Sequence, residues 1–354
     1  MKITVNKLLL LVLGLAYAVI ILLRKSIYSA GLVDWNTIAI LSSLIVVNTG
    51  LMYSGGLNFV AYRIMKVTKG RRKLMIVSVL LTSFMAMFLT NDVSLLVLIP
   101  ITITIGKFAG KNIDDVIIFQ AIAANVGSML MPFGNPQNII MYRLYSLNLF
   151  EFVRTMTPIF IVSLAILLLF SVIFKDDKLE SHETGPRPHF YFFGLYLALL
   201  LITIVGMLLN ATIYLFLGVI LVSIISLLLF EPQTVVKVDY VLIVVFILIF
   251  LVMNSIRLLI TIPTFGGGVQ TFFSSMLLSQ VISNVPTTVL FGKVSSFAVL
   301  SYGVNIGGNG TVVASLANII ALRNLSGKNF LKFNKYSFLF LVITALFGYL
   351  ILFA

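Results

Sequence analysis

Apolar runs of membrane-spanning length, separated by short basic loops, set the pattern of this chain. Ile159–Phe174, Phe190–Leu209, Ile213–Phe230 and Val241–Asn254 are apolar on every face, as helices in lipid are. Leu8–Leu23 and Thr37–Tyr62 predict two spans before the first strongly basic loop, which holds Arg63, Lys66, Lys69, Arg71, Arg72 and Lys73. Beyond it, Leu74–Leu89 and Val93–Gly106 flank the polar triplet Thr90-Asn91-Asp92. Each arm holds about fifteen residues, short of the ~20 that a full crossing needs. With basic residues at both ends, this predicts a re-entrant helical hairpin over about 74–106 with the triplet at its tip. Two ordinary spans joined by a polar outer loop are the alternative. A crossing helix over 113–142, broken near Pro132–Gln137, comes next, and Phe152–Phe174 returns.

The second half repeats the order with one extra span. After a polar stretch, Lys175–His189, come three spans, Phe190–Leu209, Ile213–Phe230 and Val238–Asn254. A second hairpin follows over about 269–300 with Ser283-Asn284-Val285-Pro286 at its tip, then a broken helix over 301–322 and a last span, Tyr336–Phe353. The extra span turns the halves opposite ways in the bilayer, as inverted repeats require. The expected fold is an all-α polytopic membrane protein with inverted-topology repeats: about nine transmembrane spans, two re-entrant hairpins and two broken helices. Its parts would be a first repeat over 1–174, a cytoplasmic linker over 175–189 and a second repeat over 190–354. On this threading 18 of the 24 basic residues fall on the cytoplasmic side, with the N-terminus there and the C-terminus external.

Composition agrees. Sixty per cent hydrophobic residues, ten per cent charged and a mean hydropathy of +1.14 exclude a soluble globular chain. The alternation of a membrane barrel is missing. A net charge of +13 suggests nucleic acid, but the basic residues lie in loops between spans and form no stripe with aromatics. The absence of cysteine removes disulfides and thiol chemistry. Neither His lies in a span and no Ser-His or metal-ligand set is visible, so neither an enzyme nor a cofactor is expected. No small-residue cleavage site follows Met1–Leu23, which reads as the first span.

Candidate chemistry sits where polar residues interrupt the apolar runs. Asn125–Asn138, NVGSMLMPFGNPQN, and Asn305–Asn318, NIGGNGTVVASLAN, both open Asn-(Val/Ile)-Gly and close on Asn thirteen residues later. Paired interruptions in corresponding positions of two halves point to a transporter's binding site. Asp92 is the one acid placed within the membrane, able to carry a proton or ligate a cation, or to cap the second arm of its hairpin. Asn91, Asn125, Asn135, Asn138, Asn284, Asn305, Asn309 and Asn318 supply amide oxygens for a cation and NH2 groups for an anion. Thr90, Gln137, Ser283 and Thr287 join them, with Gly134 and Gly308 permitting the tight backbone of a break. Lys293 and Arg257 are each a candidate counter-charge for an anion or a side chain that snorkels to the outer interface, and Gln280 is a weaker candidate.

On these motifs the chain resembles the ion transporter superfamily, which holds the arsenical-pump permeases, citrate-transporter-like permeases and divalent anion/sodium symporters. Thr90-Asn91-Asp92 and Ser283-Asn284-Val285-Pro286 match the hairpin tips; Gly134-Asn135-Pro136-Gln137-Asn138 and Gly307-Gly308-Asn309-Gly310 match the helix breaks. The resemblance covers about residues 40 to 325. Neither tip carries the Ser-Asn-Thr of the symporters, so their sodium and carboxylate chemistry does not carry over directly. The resemblance implies a secondary transporter in the cell membrane, usually a homodimer, moving a small anion or oxyanion-type solute with H+ or Na+. Asn91, Asp92 and Asn284 would hold Na+ in a sodium-coupled version. Arsenite or antimonite efflux, with a separate ATPase subunit possible, Na+/H+ antiport and a passive anion channel are the alternatives.

Overall fold

Helices build the described chain, seen in a computed structural model that covers residues 2–24, 30–66, 68, 70–173, 189–259, 267–293, 296–326 and 329–354. The linker between the halves lies outside the described residues except for His189, as do Lys69, Gly266 and Lys328. The first helices are α1 (Lys2–Arg24), α2 (Trp35–Tyr53) and α3 (Gly56–Lys66). The single span expected over Thr37–Tyr62 is therefore two helices. The chain turns at Ser54-Gly55, where Gly55 has φ +75°, and α3 carries the basic Arg63 and Lys66 away from the apolar run.

The hairpin arms are α4 (Arg71–Phe88) and α5 (Asn91–Phe108), 18 residues each. They exceed the expected arms because the basic ends, Arg71 to Lys73 and Lys107, are helical too. At that length α5 could cross a bilayer, yet its tip is no surface loop. Asn91 is buried, and its backbone N–H donates to the Gly134 carbonyl at 3.1 Å. Next come α6 (Asp114–Ser128), an unwound stretch over 129–135, α7 (Pro136–Leu144) and α8 (Leu149–Val172). The break has a local cause: Asn135 caps α7 by accepting from the Asn138 N–H at 2.9 Å, and Pro136, with no N–H to lose, takes the first helical position.

The second half holds α9 (Phe190–Leu208), α10 (Ile213–Phe230), α11 (Pro232–Val235), α12 (Tyr240–Leu259), α13 (Gly268–Ile282), α14 (Asn284–Phe291), α15 (Phe297–Ile306), α16 (Leu316–Asn324) and α17 (Phe330–Phe353). Its hairpin differs from expectation. The returning arm α14 stops at Phe291 instead of continuing to residue 300, and the broken helix starts at Phe297. Gly292 takes a left-handed φ of +56° there and Ser296 caps the next helix at the Val299 N–H, a stop and a start inside one apolar run. Seven described segments, namely α2, α5, α8, α9, α10, α11 with α12, and α17, are long and apolar enough to cross a membrane. The molecule is a polytopic helical membrane protein, and Leu201, Leu221, Leu229 and Leu346 are among the large apolar side chains its outer faces expose.

Packing is reciprocal between the halves. Hairpin arm α4 lies on α6 and α13 on α15, while the arms beyond the tips cross over, α5 onto α16 and α14 onto α7. The Gly of each Asn-(Val/Ile)-Gly makes the first contact possible. A Cβ on Gly127 would stand 2.1 Å from the Ser83 carbonyl, and one on Gly307 2.9 Å from that of Met276. Around this centre, α2 packs on α9 and α10, and α12 on α1. At the basic-loop end, Asp115 in the first turn of α6 takes both Arg71 and Lys332 at 2.5 Å, tying α4, α6 and α17 together.

Candidate functional site

The two Asn-to-Asn segments meet at the centre of the fold and bond to each other. Asn125 Nδ2 donates to Asn318 Oδ1 at 2.9 Å, and Asn305 Nδ2 donates to Asn138 Oδ1 at 2.9 Å. The first Asn of each segment thus reaches the last Asn of the other. Asn125 also donates to the Gly308 carbonyl (3.0 Å) and receives the Ser315 hydroxyl (3.0 Å); Asn135 donates to Ser128 (3.0 Å) and to Asn305 (3.2 Å). Gln137 reaches Asn305 at 3.4 Å. Every one of these amides is buried.

The same amides close the breaks. An unwound helix leaves its last carbonyls without partners, which lipid cannot supply. Asn138 Nδ2 lies within bonding distance of the carbonyls of Ser128, Met129 and Met131; Asn318 Nδ2 bonds those of Gly308 and Thr311 at 2.9 Å each. Gln280 completes the second break, donating to the Gly307 carbonyl at 2.7 Å and accepting the Thr311 N–H at 2.9 Å. Side chains therefore occupy the negative ends of α6 and α15. Four helices begin around this centre, α5, α7, α14 and α16, and their positive ends favour an anion.

The tips complete the ring. Asn91 Nδ2 is 3.5 Å from Asn125 Oδ1, and Ser283, held at φ +75°, bonds the Ala314 carbonyl at 3.2 Å. Asn284 Nδ2 lies 3.1 Å from where a Cβ of Gly308 would stand. Thr287 is buried and bonds its own helix at Ser283. One donor of the cluster, Asn309 Nδ2, is buried without a protein partner.

Beside this cluster lies a cavity of about 80 Å³. Thr90 and Asp92 form its wall at the start of α5, Asn48 and Thr49 on α2, Lys237 and Asp239 before α12, and Arg323 on α16. Asn48 is 1% exposed, and neither its oxygen nor its nitrogen meets a protein partner. The cavity residues hold two carboxylates and two cations.

The structure divides the sodium set read from the sequence: Asn91 and Asn284 turn to the asparagine cluster, and Asp92 lines the cavity. Lys293 is not brought to either. It is exposed and stands over the Tyr145 ring at 5.8 Å, past the end of α14, where the short returning arm leaves it. Arg257 packs against Gly292 at the same end. Sequence reasoning missed Asn48, Lys237, Asp239 and Arg323. The Asn48-Thr49 doublet within an apolar run was the available signal for the first; the charged three look like ordinary loop residues.

The profile of the citrate transporter family matches residues 2–298. An uncharacterised transporter of Methanocaldococcus jannaschii is 34% identical over 303 residues, 84% of this chain and 82% of its own. The inner membrane protein YbiR of Escherichia coli is 32% identical over 338 residues, 90% of this chain and 88% of its own. A Dictyostelium discoideum protein carrying the transporter name arsB is 30% identical over 148 residues, 41% of this chain and 26% of its own. With its crossed asparagines, two unwound helices and helical membrane fold, this chain belongs to the citrate transporter family.

Proposed function

We propose that this protein is a secondary active transporter that moves a small anion or oxyanion-type solute across the cytoplasmic membrane by alternating access, coupled to H+ or Na+. The observation that carries this is the cavity set against the crossed asparagines, where helix N-termini, Arg323, Lys237 and the unpartnered Asn48 amide favour an anion. The carboxylates supply the coupling. With two acids and two bases in its lining the cavity carries no net charge of its own, so an anion enters at lower cost when a cation accompanies it or a proton neutralises Asp92. The family description names citrate, a carboxylate of this chemical class. The two halves act as inverted repeats, with basic loops and the N-terminus in the cytoplasm and the C-terminus outside.

Uptake into proteoliposomes tests this, with a panel of carboxylates and oxyanions, arsenite included, under separately imposed H+ and Na+ gradients. The native chain is expected to concentrate at least one anion when one gradient is applied. Asp92→Asn is expected to keep downhill exchange and lose gradient-driven accumulation. Flux without response to either gradient would instead mark a channel, and full coupling in Asp92→Asn would remove that residue's role.

A further inference from the structure

The cavity beside the asparagine cluster is small and its charges are balanced, and both properties restrict what it can hold. An apolar protein cavity of about 150 Å³ takes benzene, so about 80 Å³ corresponds to about three or four heavy atoms. Formate, acetate and nitrate are of that size, whereas a six-carbon tricarboxylate is several times larger. Asp92 and Asp239 offset Lys237 and Arg323 in the lining, so each negative charge on a solute needs its own accompanying cation or proton. A single charge is the least costly. Two side chains are placed to meet it. Lys237, between α11 and α12, is exposed, and among the described residues its ammonium meets no carboxylate; it stands over the Tyr53 ring at 4.3 Å. Asn48 is 1% exposed, and both of its amide atoms lack a protein partner. Whichever way that amide is turned, it offers a donor to an anion's oxygen and an acceptor to the proton or Na+ that accompanies it. Thr90 lines the cavity and precedes α5 without a side-chain cap, so the positive end of that helix borders the same space.

We propose that the solute is a monovalent anion of about three or four heavy atoms with two or more oxygens, a short carboxylate or a planar oxyanion, and that Lys237 and Asn48 determine this specificity. Lys237 supplies the counter-charge at the edge of the cavity. A cation resting on an aromatic face is redirected to an anion more readily than one already bound to a carboxylate. Asn48 meets the anion at the buried end, where its amide gains the partner it lacks. A solute as large and as highly charged as citrate is excluded by volume and by charge together. The assignment rests on the anion-transport reading above and narrows it.

The chain has no cysteine, so one introduced thiol reports without background. Thr49 lines the cavity and its hydroxyl bonds its own helix at the Ile45 carbonyl, so Thr49→Cys leaves Asn48 and Lys237 in place. Labelling of the purified full chain by a maleimide is timed in detergent with each sodium salt in turn, ionic strength being held with sodium gluconate. Formate, acetate and nitrate are expected to slow labelling by about threefold or more, the effect of a ligand at about twice its Kd. At the same concentration sulfate (similar in size but divalent), hexanoate (monovalent but longer) and citrate are expected to leave it unchanged. Lys237→Gln and Asn48→Leu should each abolish the protection without changing the rate in gluconate. Thr90→Cys serves as reporter if Thr49→Cys is poorly expressed. Protection by sulfate, hexanoate or citrate equal to that by acetate, protection by no anion, or protection undiminished in either variant overturns the assignment. The readout needs no gradient: failure of every gradient to drive uptake retracts the transport reading, while the protection pattern judges the solute class separately.

Discussion

A buried carboxamide without a partner and a buried carboxamide with several lead to opposite expectations. Asn48 has no protein partner for either amide atom, and leaving a buried polar group unmet costs about 1–3 kcal/mol. Asn48→Leu, nearly the same shape, should therefore keep or raise the melting temperature in detergent while transport falls, a split that a purely structural Asn would not show. Asn138 is the reverse case. Its Nδ2 serves the Ser128, Met129 and Met131 carbonyls and its Oδ1 receives Asn305, so Asn138→Ala strands several buried groups at about 1–3 kcal/mol each. A fall of several degrees in melting temperature, together with lost transport, is expected. The pairing of Asn138 with Asn305 was legible as a repeated spacing of thirteen, because a repeat exposes itself in sequence. Asn48 was not, since a single amide in an apolar run reads equally as interhelical glue.

At the scale of elements, the hairpins and broken helices depend on close backbone contact. Gly127 brings α6 to within van der Waals distance of the α4 backbone, and a Cβ there would meet the Ser83 carbonyl and Cα, which cannot move aside as a side chain can. Gly127→Ala should cost about 1–3 kcal/mol by overpacking and push the first hairpin off its broken helix. Gly218→Ala, with nothing within 4 Å, is the control and should be neutral or slightly stabilising. Both quantities are read as melting temperatures of the purified protein. Element boundaries were the least legible feature. Apolar runs mark where lipid or protein interior must be, but the backbone angles of Gly55 and Gly292 and the side-chain cap of Ser296 end and restart helices inside such runs, and hydrophobicity does not register them.

At the scale of the whole molecule, the threading by basic loops has a direct check. Lys73→Cys and Lys335→Cys are expected to react with an impermeant maleimide from the cytoplasmic side only, and Ala354→Cys from outside only. Reaction of Lys73→Cys and Ala354→Cys from the same side would break the inverted arrangement on which the transport reading stands. Residue order alone makes this a helical membrane protein, pairs its polar interruptions and gathers Asn, Gly and Pro at the breaks. Those features follow from solvation along one chain: apolar length, loop charge and helix-breaking residues act locally. Packing in three dimensions sets the rest: which amides bond across the halves, the place of Asp92 in a cavity shared with Asn48, Lys237, Asp239 and Arg323, and the position of Lys293 away from it. Such partnerships join residues from helices far apart in the chain, and their geometry is set by how closely packed backbones approach.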